Sequence, residues 1–255
     1  LSAAVGNAQS IQVLPADATA FPAVSASVYS FDARGTVLRP TPAELTVNEF
    51  GKPCTILSVT CPPLPVRRAI SSVLTMDISA SMNDRVDGIV KMDIAREAAR
   101  VWIEDLSLGA SECALTTFDD MNYLMQDYTT DKNVLLGTVG NLIPNHGTDY
   151  DAGLLTPQAG ALQISKAGKH EKVIVFLSDG LPWRDPNVDS IVAEAQRQGC
   201  KIYCVMVAMF APQSMREISS RTGGKCFESI RSITEIQAVY RSILAEAQGI
   251  EPCKL

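Results

Sequence analysis

The sequence lacks long runs of Lys or Arg, and it lacks any apolar stretch close to the length that crosses a membrane. Its 255 residues have a formal net charge of −6, whereas a nucleic-acid-binding surface normally needs clustered basic residues. A membrane-spanning helix needs about 20 consecutive, mostly apolar residues. The composition therefore argues against nucleic acid as a partner and against a membrane span within this sequence.

Histidine is scarce, and the cysteines are not spaced as paired metal ligands. His146 and His170 are the only histidines, and they have no third ligand to complete a zinc site. None of the seven cysteines belongs to a Cys-x-x-Cys pair, which argues against a zinc knuckle or a thioredoxin-type site. No cysteine has a nearby histidine in the sequence, so nucleophilic catalysis has no positive sign.

The odd number of cysteines leaves the disulfide pattern open. Cys54 and Cys61 bracket the segment TILSVT and are candidates to pair across a bend or between neighbouring strands. Cys113 and Cys204 lie inside apolar runs, where a cysteine behaves as a small buried hydrophobe. The candidates for a second bridge are Cys200, Cys226 and Cys253. This usage favours an oxidising setting, which is extracellular, at a cell surface or periplasmic.

The first ten residues do not resemble a signal peptide, and the last five residues do not form a recognisable closing element. The start, LSAAVGNAQS, has neither the basic region nor the apolar region of a signal peptide. The end, EPCKL, follows the last predicted helix without a closing element. We expect the sequence to be a fragment of a longer protein.

The chain divides by pattern into two predicted domains, residues 1–66 and 67–250. The first contains short strand-like runs separated by turns, such as AVSASVYSFD and LTVNEFGKP, and no helical period. At this length its core is thin, so we expect it to dock on the rest of the chain or to use a Cys54–Cys61 disulfide. The proline-rich segment CPPLPVRR joins the two domains.

The second domain alternates strands and helices, which predicts an α/β fold. Its apolar runs AISSVLTMD, ECALTTF, KVIVFLSDG and KIYCVMVAM are predicted strands, and the last two have the composition of strands buried on both faces. The segments between them have helical periods, with one long helix predicted over residues 85–106 and another opened by Asp185 and Pro186. The alternation predicts a doubly wound, mostly parallel sheet with helices on both faces.

Oxygen-bearing side chains follow the predicted strands at the edge where such sheets bind ligands. The first loop, TMDISASMND, contains Asp77, Ser79 and Ser81, a turn further along contains Thr148, and the loop LSDG contains Asp179. All five are hard oxygen donors, and two crowded carboxylates need a cation between them. Such a set suits Mg²⁺ best, with Mn²⁺ or Ca²⁺ as substitutes.

In order and spacing, these five residues resemble the metal-ion-dependent adhesion site of von Willebrand factor type A domains. The stretch from TTFDD to NHGTDYDAG is similar to the bacterial branch of that family, and the resemblance covers about residues 70–248. It implies a Rossmann-like von Willebrand factor A fold. The segment before it resembles, more weakly, the small immunoglobulin-like domain that precedes the A domain in some bacterial surface proteins.

The resemblance implies a ligand set and a function. Ser79, Ser81 and Thr148 would be hydroxyl ligands, and Asp77 and Asp179 would bind the ion directly or through water. The family binds proteins through the metal and is not catalytic, so we expect Mg²⁺ to bridge to an Asp or Glu side chain of a partner protein. The residues expected to contact that partner are Met82, Asn83, His146, Gly147, Asp149 and Trp183.

Two other functions compete with this expectation. A Mg²⁺-dependent phosphohydrolase is suggested by the strand-end aspartates, but such enzymes need a second aspartate where Ser79 stands, and Lys169 and Lys172 precede a strand rather than follow one. A structural spacer with a purely structural ion is the third possibility. Asp119 and Asp120 are expected to cap or solvate a strand end, and Trp102 is expected in the core.

Overall fold

The computed structural model describes residues 2–5, as backbone only, and residues 10–255. These residues form two compact units. One contains the chain up to Arg68 together with Gln237–Leu255, and the other contains Ala69–Ile236. The sequence division placed residues 67–250 in one domain, whereas the structure groups the segment after Ile236 with the N-terminal unit. Among the described residues, no helix combines the length and the apolar character required to cross a membrane.

The elements follow one another in the order that the alternation of patterns predicts. The strands are β1 (Ser2–Val5), β2 (Ser10–Val13), β3 (Ser27–Phe31), β4 (Leu45–Glu49), β5 (Lys52–Pro53), β6 (Ile70–Asp77), β7 (Arg85–Val86), β8 (Ile89–Val90), β9 (Glu112–Phe118), β10 (Asn122–Thr129), β11 (Glu171–Ser178), β12 (Lys201–Val207), β13 (Cys226–Ile230) and β14 (Cys253–Lys254). The helices are α1 (Lys91–Asp105), α2 (Lys132–Gly140), α3 (Tyr150–Leu154), α4 (Ala161–Ser165), α5 (Val188–Gln198), α6 (Gln213–Arg221) and α7 (Ile233–Ala247).

The first unit contains two small antiparallel sheets, in the orders β1-β4-β5 and β14-β3-β2. A small apolar cluster that includes Tyr29, Phe31 and Ile250 forms its core. The proposed Cys54–Cys61 pairing is wrong, because Cys61 forms a disulfide with Cys253, 192 residues away, and Cys54 is free. The bridge ties the C-terminal strand to the N-terminal segment of the same unit, which a local staple would not do.

The second unit is built on a six-stranded sheet in the order β10-β9-β6-β11-β12-β13. Four of the five strand pairs are parallel, and only β9 with β10 is antiparallel. Every residue of β6 and β9 is buried, because helices cover both faces of a doubly wound sheet. The predicted α/β fold class, a doubly wound, mostly parallel Rossmann-like sheet, is confirmed.

One face of this sheet packs on α3, α4, α5 and α6 around an aromatic cluster. Phe118 and Phe176 stack at 4.8 Å between ring centroids, and Tyr150 meets Phe176 edge-on at 5.0 Å. A Cβ atom on Gly153 would lie 2.8 Å from the Phe118 ring, so only glycine lets α3 approach this closely. On the other face, Trp102 of α1 is fully buried and its indole donates to Ser72 Oγ at 3.0 Å, which confirms its place in the core.

Two predicted helix starts are wrong. The helix expected over residues 85–106 begins at Lys91, because Asp87 and Gly88 take left-handed backbone angles and turn β7 back onto β8. The helix predicted to be opened by Asp185 and Pro186 is α5. It begins at Val188 and is capped by the side chain of Asn187 rather than by Asp185. Gly199 closes α5 with φ 65°.

Candidate functional site

The candidate site lies where three chain segments meet beyond the carboxyl ends of β6, β9 and β11. The turn that contains Thr148 is fastened to the loop after β6 by two backbone hydrogen bonds: Asn145 N donates to Ile78 O at 2.6 Å, and Ala80 N donates to His146 O at 3.0 Å. His146 takes φ 61° in this turn. The packing of loop on loop brings the oxygen-bearing side chains of distant segments to one corner of the sheet.

Asp77, the last residue of β6, is fully buried and has both carboxylate oxygens engaged. Oδ1 accepts from Ser79 N at 2.7 Å, and Oδ2 accepts from Ser178 Oγ at 2.5 Å. Burial raises the pKa of Asp77 to about 7, although the hydrogen bonds from Ser178 and Ser79 act in the opposite direction. A buried carboxylate of this kind is costly when charged, and a nearby cation would lower that cost.

A chain of hydroxyl groups connects the first loop to the loop after β11. Ser79 Oγ and Ser81 Oγ are 3.1 Å apart, and Ser81 Oγ donates to Asp179 Oδ1 at 2.8 Å. Thr148 borders the same space, since a Cβ atom on Gly180 would lie 3.2 Å from Thr148 Oγ1 and 3.5 Å from Ser81 Oγ. The structure thus brings all five predicted ligand residues to one corner.

Lys91 also reaches this corner, and the sequence analysis missed it. Its ammonium donates to Asp179 Oδ2 at 2.7 Å and lies 4.0 Å from Asp84 Oδ2. A positive side chain in the first turn of a helix is disfavoured by the helix dipole. That unfavourable placement was the available signal, and it was lost because the helix was predicted to start at residue 85.

The residues expected to contact a partner divide by exposure. Asn83 and His146 are exposed, Gly147 is half-buried, and Trp183 is 65% exposed with the Arg184 guanidinium 4.9 Å from its ring centroid. Met82 is fully buried, so in this structure its side chain does not belong to the accessible surface.

Asp149 does not face solvent either. It is 4% exposed, caps α3 through its side chain, and accepts a hydrogen bond from Arg184 at 2.8 Å. Its role in the structure is to fix the helix that follows Thr148 and the loop that follows Asp179. Like the Met82 side chain, the Asp149 side chain is therefore not part of the accessible surface in this structure.

Asp119 and Asp120 support the corner from the end of β9. Asp119 is buried and closes the turn to β10 by accepting from Met121 N at 2.8 Å, as expected of a strand-end cap. Asp120 Oδ2 accepts from Gly147 N at 3.2 Å, and a Cβ atom on Gly147 would lie 2.4 Å from Asp120 Oδ1. Glycine at 147 thus allows the Thr148 turn to rest on Asp120.

The donor chemistry of the corner fits a hard divalent cation. Two carboxylates and three hydroxyls converge, and Mg²⁺ prefers oxygen ligands of this type completed by water. In the part of the chain that the structure describes, no three or more His, Cys, Asp or Glu side chains are grouped so as to hold a metal ion. The corner differs from such groups because three of its five side chains carry neutral hydroxyls.

Comparison with known proteins agrees with this fold. A family model described as the von Willebrand factor type A domain matches residues 72–181. No curated protein sequence matches the chain. Among solved structures, the chain is similar to the von Willebrand factor domain of the type V pili tip protein Mfa5 from Porphyromonas gingivalis, with 13% identity and a TM-score of 0.57, over 71% of this chain and 96% of that one.

Two further structures show the same likeness. The PilB minor pilin from Streptococcus sanguinis is 14% identical with a TM-score of 0.57, over 94% of this chain and 78% of that one. Proximal thread matrix protein 1 from the mussel byssus, solved with a zinc-occupied MIDAS motif, is 15% identical with a TM-score of 0.58, over 76% of this chain and 49% of that one. At these identities the likeness establishes the von Willebrand factor A fold alone.

Proposed function

We propose that this chain is a metal-dependent protein-interaction module that binds an acidic side chain of a partner protein through Mg²⁺. The observation that supports it best is the corner itself. Buried Asp77, the hydroxyls of Ser79, Ser81 and Thr148, and Asp179 converge at the edge of the sheet where this fold exposes its loops. Mn²⁺ or Ca²⁺ would substitute.

The residues have distinct roles in this proposal. The two carboxylates supply the charge that attracts the ion, and the three hydroxyls complete the ligand set without neutralising it. An ion with so few anionic ligands retains affinity for one more carboxylate, which the partner supplies. Exposed Trp183 and His146 would contact the partner beside the ion, since large aromatic side chains often dominate binding energy at protein interfaces.

The similar structures and the disulfide support an interaction role outside the cytoplasm. Several similar structures are of pilus and byssus matrix proteins, and the Cys61–Cys253 disulfide is of the kind that persists in oxidising compartments. We therefore propose an extracellular, cell-surface or periplasmic protein that is not an enzyme.

The phosphohydrolase alternative has one new point in its favour and two against it. Lys91 supplies the cation that was missing from the loops. Asp77, however, would have to act as a nucleophile while buried and with both oxygens hydrogen-bonded, and Ser79 stands where the general acid is required. Turnover of p-nitrophenyl phosphate that is abolished by Asp77→Asn would favour the enzyme instead.

Calorimetric titration with Mg²⁺ and Mn²⁺ tests the metal step. We expect one binding event per chain in the wild type and none in Asp77→Ala. Asp127→Ala is the matched control, because Asp127 is an exposed aspartate of β10, and it should bind like the wild type. Absence of binding heat in the folded wild type at several temperatures would contradict the proposal.

The carboxylate step is tested with acetate, using acetamide as its neutral counterpart. Protein-bound Mn²⁺ enhances the relaxation of water protons, and a ligand that displaces metal-bound water reduces that enhancement. We expect acetate to reduce it and acetamide to leave it unchanged. If the two act alike, the ion does not accept an anionic oxygen, and a spacer function with a structural ion is favoured.

A further inference from the structure

The Lys91–Asp179 ion pair is the least expected feature of the corner. The ammonium donates to Asp179 Oδ2 at 2.7 Å, the Lys91 side chain is 14% exposed, and the Asp179 side chain is fully buried. The pair is therefore shielded from water on the aspartate side and largely on the lysine side. Shielding of this kind makes an ion pair stronger than one on an open surface.

The position of Lys91 indicates that the corner, not the helix, determines where its charge lies. Lys91 is the first residue of α1, where backbone N–H groups already carry partial positive charge. The side chain nevertheless turns towards Asp179, with Asp84 at 4.0 Å as its second acidic neighbour. A lysine in this place is favourable only because of the carboxylates beyond the helix end.

Lys91 makes the net charge of the corner less negative than the charge of its ligand residues alone. Asp77 and Asp179, when ionised, contribute −2 and Lys91 contributes +1, which leaves −1. Both oxygens of Asp179 are already engaged, Oδ1 by Ser81 and Oδ2 by Lys91. A divalent ion that approaches Asp179 must therefore displace the ammonium from Oδ2 or bind with it close by.

We propose that Lys91 is a built-in competing cation that weakens divalent-metal binding at this corner. The inference rests on the proposed function, since it concerns the same ion. Lys91 is a positioning residue and not a ligand: it acts through Asp179. By occupying a carboxylate oxygen when no metal is bound, it also stabilises the empty corner, and a divalent ion must either displace it or bind against its charge.

The expected size of the effect follows from Coulomb's law. An ion bound to the Asp179 carboxylate would lie within about 7 Å of an ammonium that remains on that carboxylate. Even with the dielectric constant of water, repulsion between a +2 and a +1 charge at that separation weakens binding about sevenfold. The lower effective dielectric near a buried carboxylate increases this factor, so removing the charge should tighten binding at least about fivefold.

The test compares Mn²⁺ affinity, by calorimetric titration at low and physiological salt, across matched variants of the whole chain. Lys91→Met removes the charge and keeps most of the side-chain volume, and Lys91→Arg keeps the charge. Lys172→Met is the control: Lys172 lies in β11, roughly 20 Å along the strand from Ser178, which is about two Debye lengths at 0.1 M salt. Circular dichroism and thermal unfolding verify that each variant is folded, and Lys91→Gln replaces Lys91→Met if the latter is not.

We expect Lys91→Met to bind Mn²⁺ at least about fivefold more tightly than the wild type, and Lys91→Arg and Lys172→Met to stay within about twofold. Equal or weaker binding by folded Lys91→Met, with the wild type binding, overturns this inference and leaves the proposed function standing. Binding by Lys91→Met alone supports the inference in its strongest form, but it contradicts the proposed function, because the wild-type corner is then closed to metal by its lysine. Binding by neither protein overturns both.

Discussion

The buried carboxylate of Asp77 predicts an unusual dependence of stability on pH in the metal-free protein. Its pKa is raised from 3.8 to about 7, chiefly by burial. Because the folded state holds this proton up to a higher pH than the unfolded state does, the favourable contribution is complete below about pH 4. It is lost as the pH rises towards 7. At about 1.36 kcal/mol per pKa unit, the full loss is on the order of 4 kcal/mol.

Asp77→Asn should remove this dependence. The amide can still accept from Ser79 N and can donate to Ser178 Oγ, so the two hydrogen bonds of the carboxylate are retained in kind. We expect the free energy of unfolding of the variant, relative to the wild type, to rise by about 3 to 4 kcal/mol between pH 4 and pH 8. Urea unfolding with EDTA present measures it, and Asp127→Asn, at an exposed position, is the control.

The same unfolding measurement, repeated with Mg²⁺ in place of EDTA, tests whether the ion stabilises the folded protein through Asp77. With Mg²⁺ at 100 times its dissociation constant, the wild type should gain about 2.7 kcal/mol at pH 8, and Asp77→Asn should gain little. If the difference between Asp77→Asn and the wild type is the same at pH 4 and pH 8, within about 0.5 kcal/mol, then Asp77 does not carry the burial cost that the structure indicates, and the argument for a cation there loses its main physical basis.

The remaining predictions concern stability and covalent structure. Gly224→Ala should destabilise the protein by at least about 2 kcal/mol in urea unfolding, because the new Cβ would lie 2.1 Å from Ile202 O. Gly137→Ala is the control, because Gly137 lies inside α2 and no atom lies within 4 Å of the new Cβ. This variant should stabilise the protein by about 0.5–1 kcal/mol. If both variants destabilise the protein, the contact with Ile202 O is not the cause of the Gly224→Ala effect. Five of the seven cysteines should react with Ellman's reagent in denaturant. Replacing Cys61 and Cys253 by Ser should lower the free energy of unfolding by on the order of 3–5 kcal/mol, because the disulfide closes a long loop. Seven reactive thiols would contradict the disulfide.

Much of the site's position could be predicted from the sequence because it depends on local patterns. Asp77 and Asp179 follow apolar runs long enough to be buried strands, and parallel strands point their carboxyl ends to one edge. The start of α7 is also encoded locally, because Ser232 and Glu235, three residues apart, exchange the two hydrogen bonds of a capping box.

The features that were missed depend on contacts that no local pattern encodes. Val86 and Val90 continue the four-residue spacing of α1, yet the Asp87–Gly88 turn places them in a hairpin. Because of that error, Lys91 was placed inside the predicted helix rather than at its first residue. Lys91 reaches Asp179 across 88 residues of sequence. The partner of Cys61 could not be read from spacing either, since pairing over such a distance is decided by the folding of the whole unit.

The most direct test of the account is a crystal structure grown with Mn²⁺ and examined for anomalous scattering at this corner. The account predicts a single peak bordered by Asp77, Ser79, Ser81, Thr148 and Asp179, with hydroxyl oxygens at roughly 2.1–2.3 Å, one coordination position held by water, and the Lys91 ammonium moved off Asp179 Oδ2. A corner without an anomalous peak at millimolar Mn²⁺, with Lys91 still hydrogen-bonded to Asp179, would contradict it.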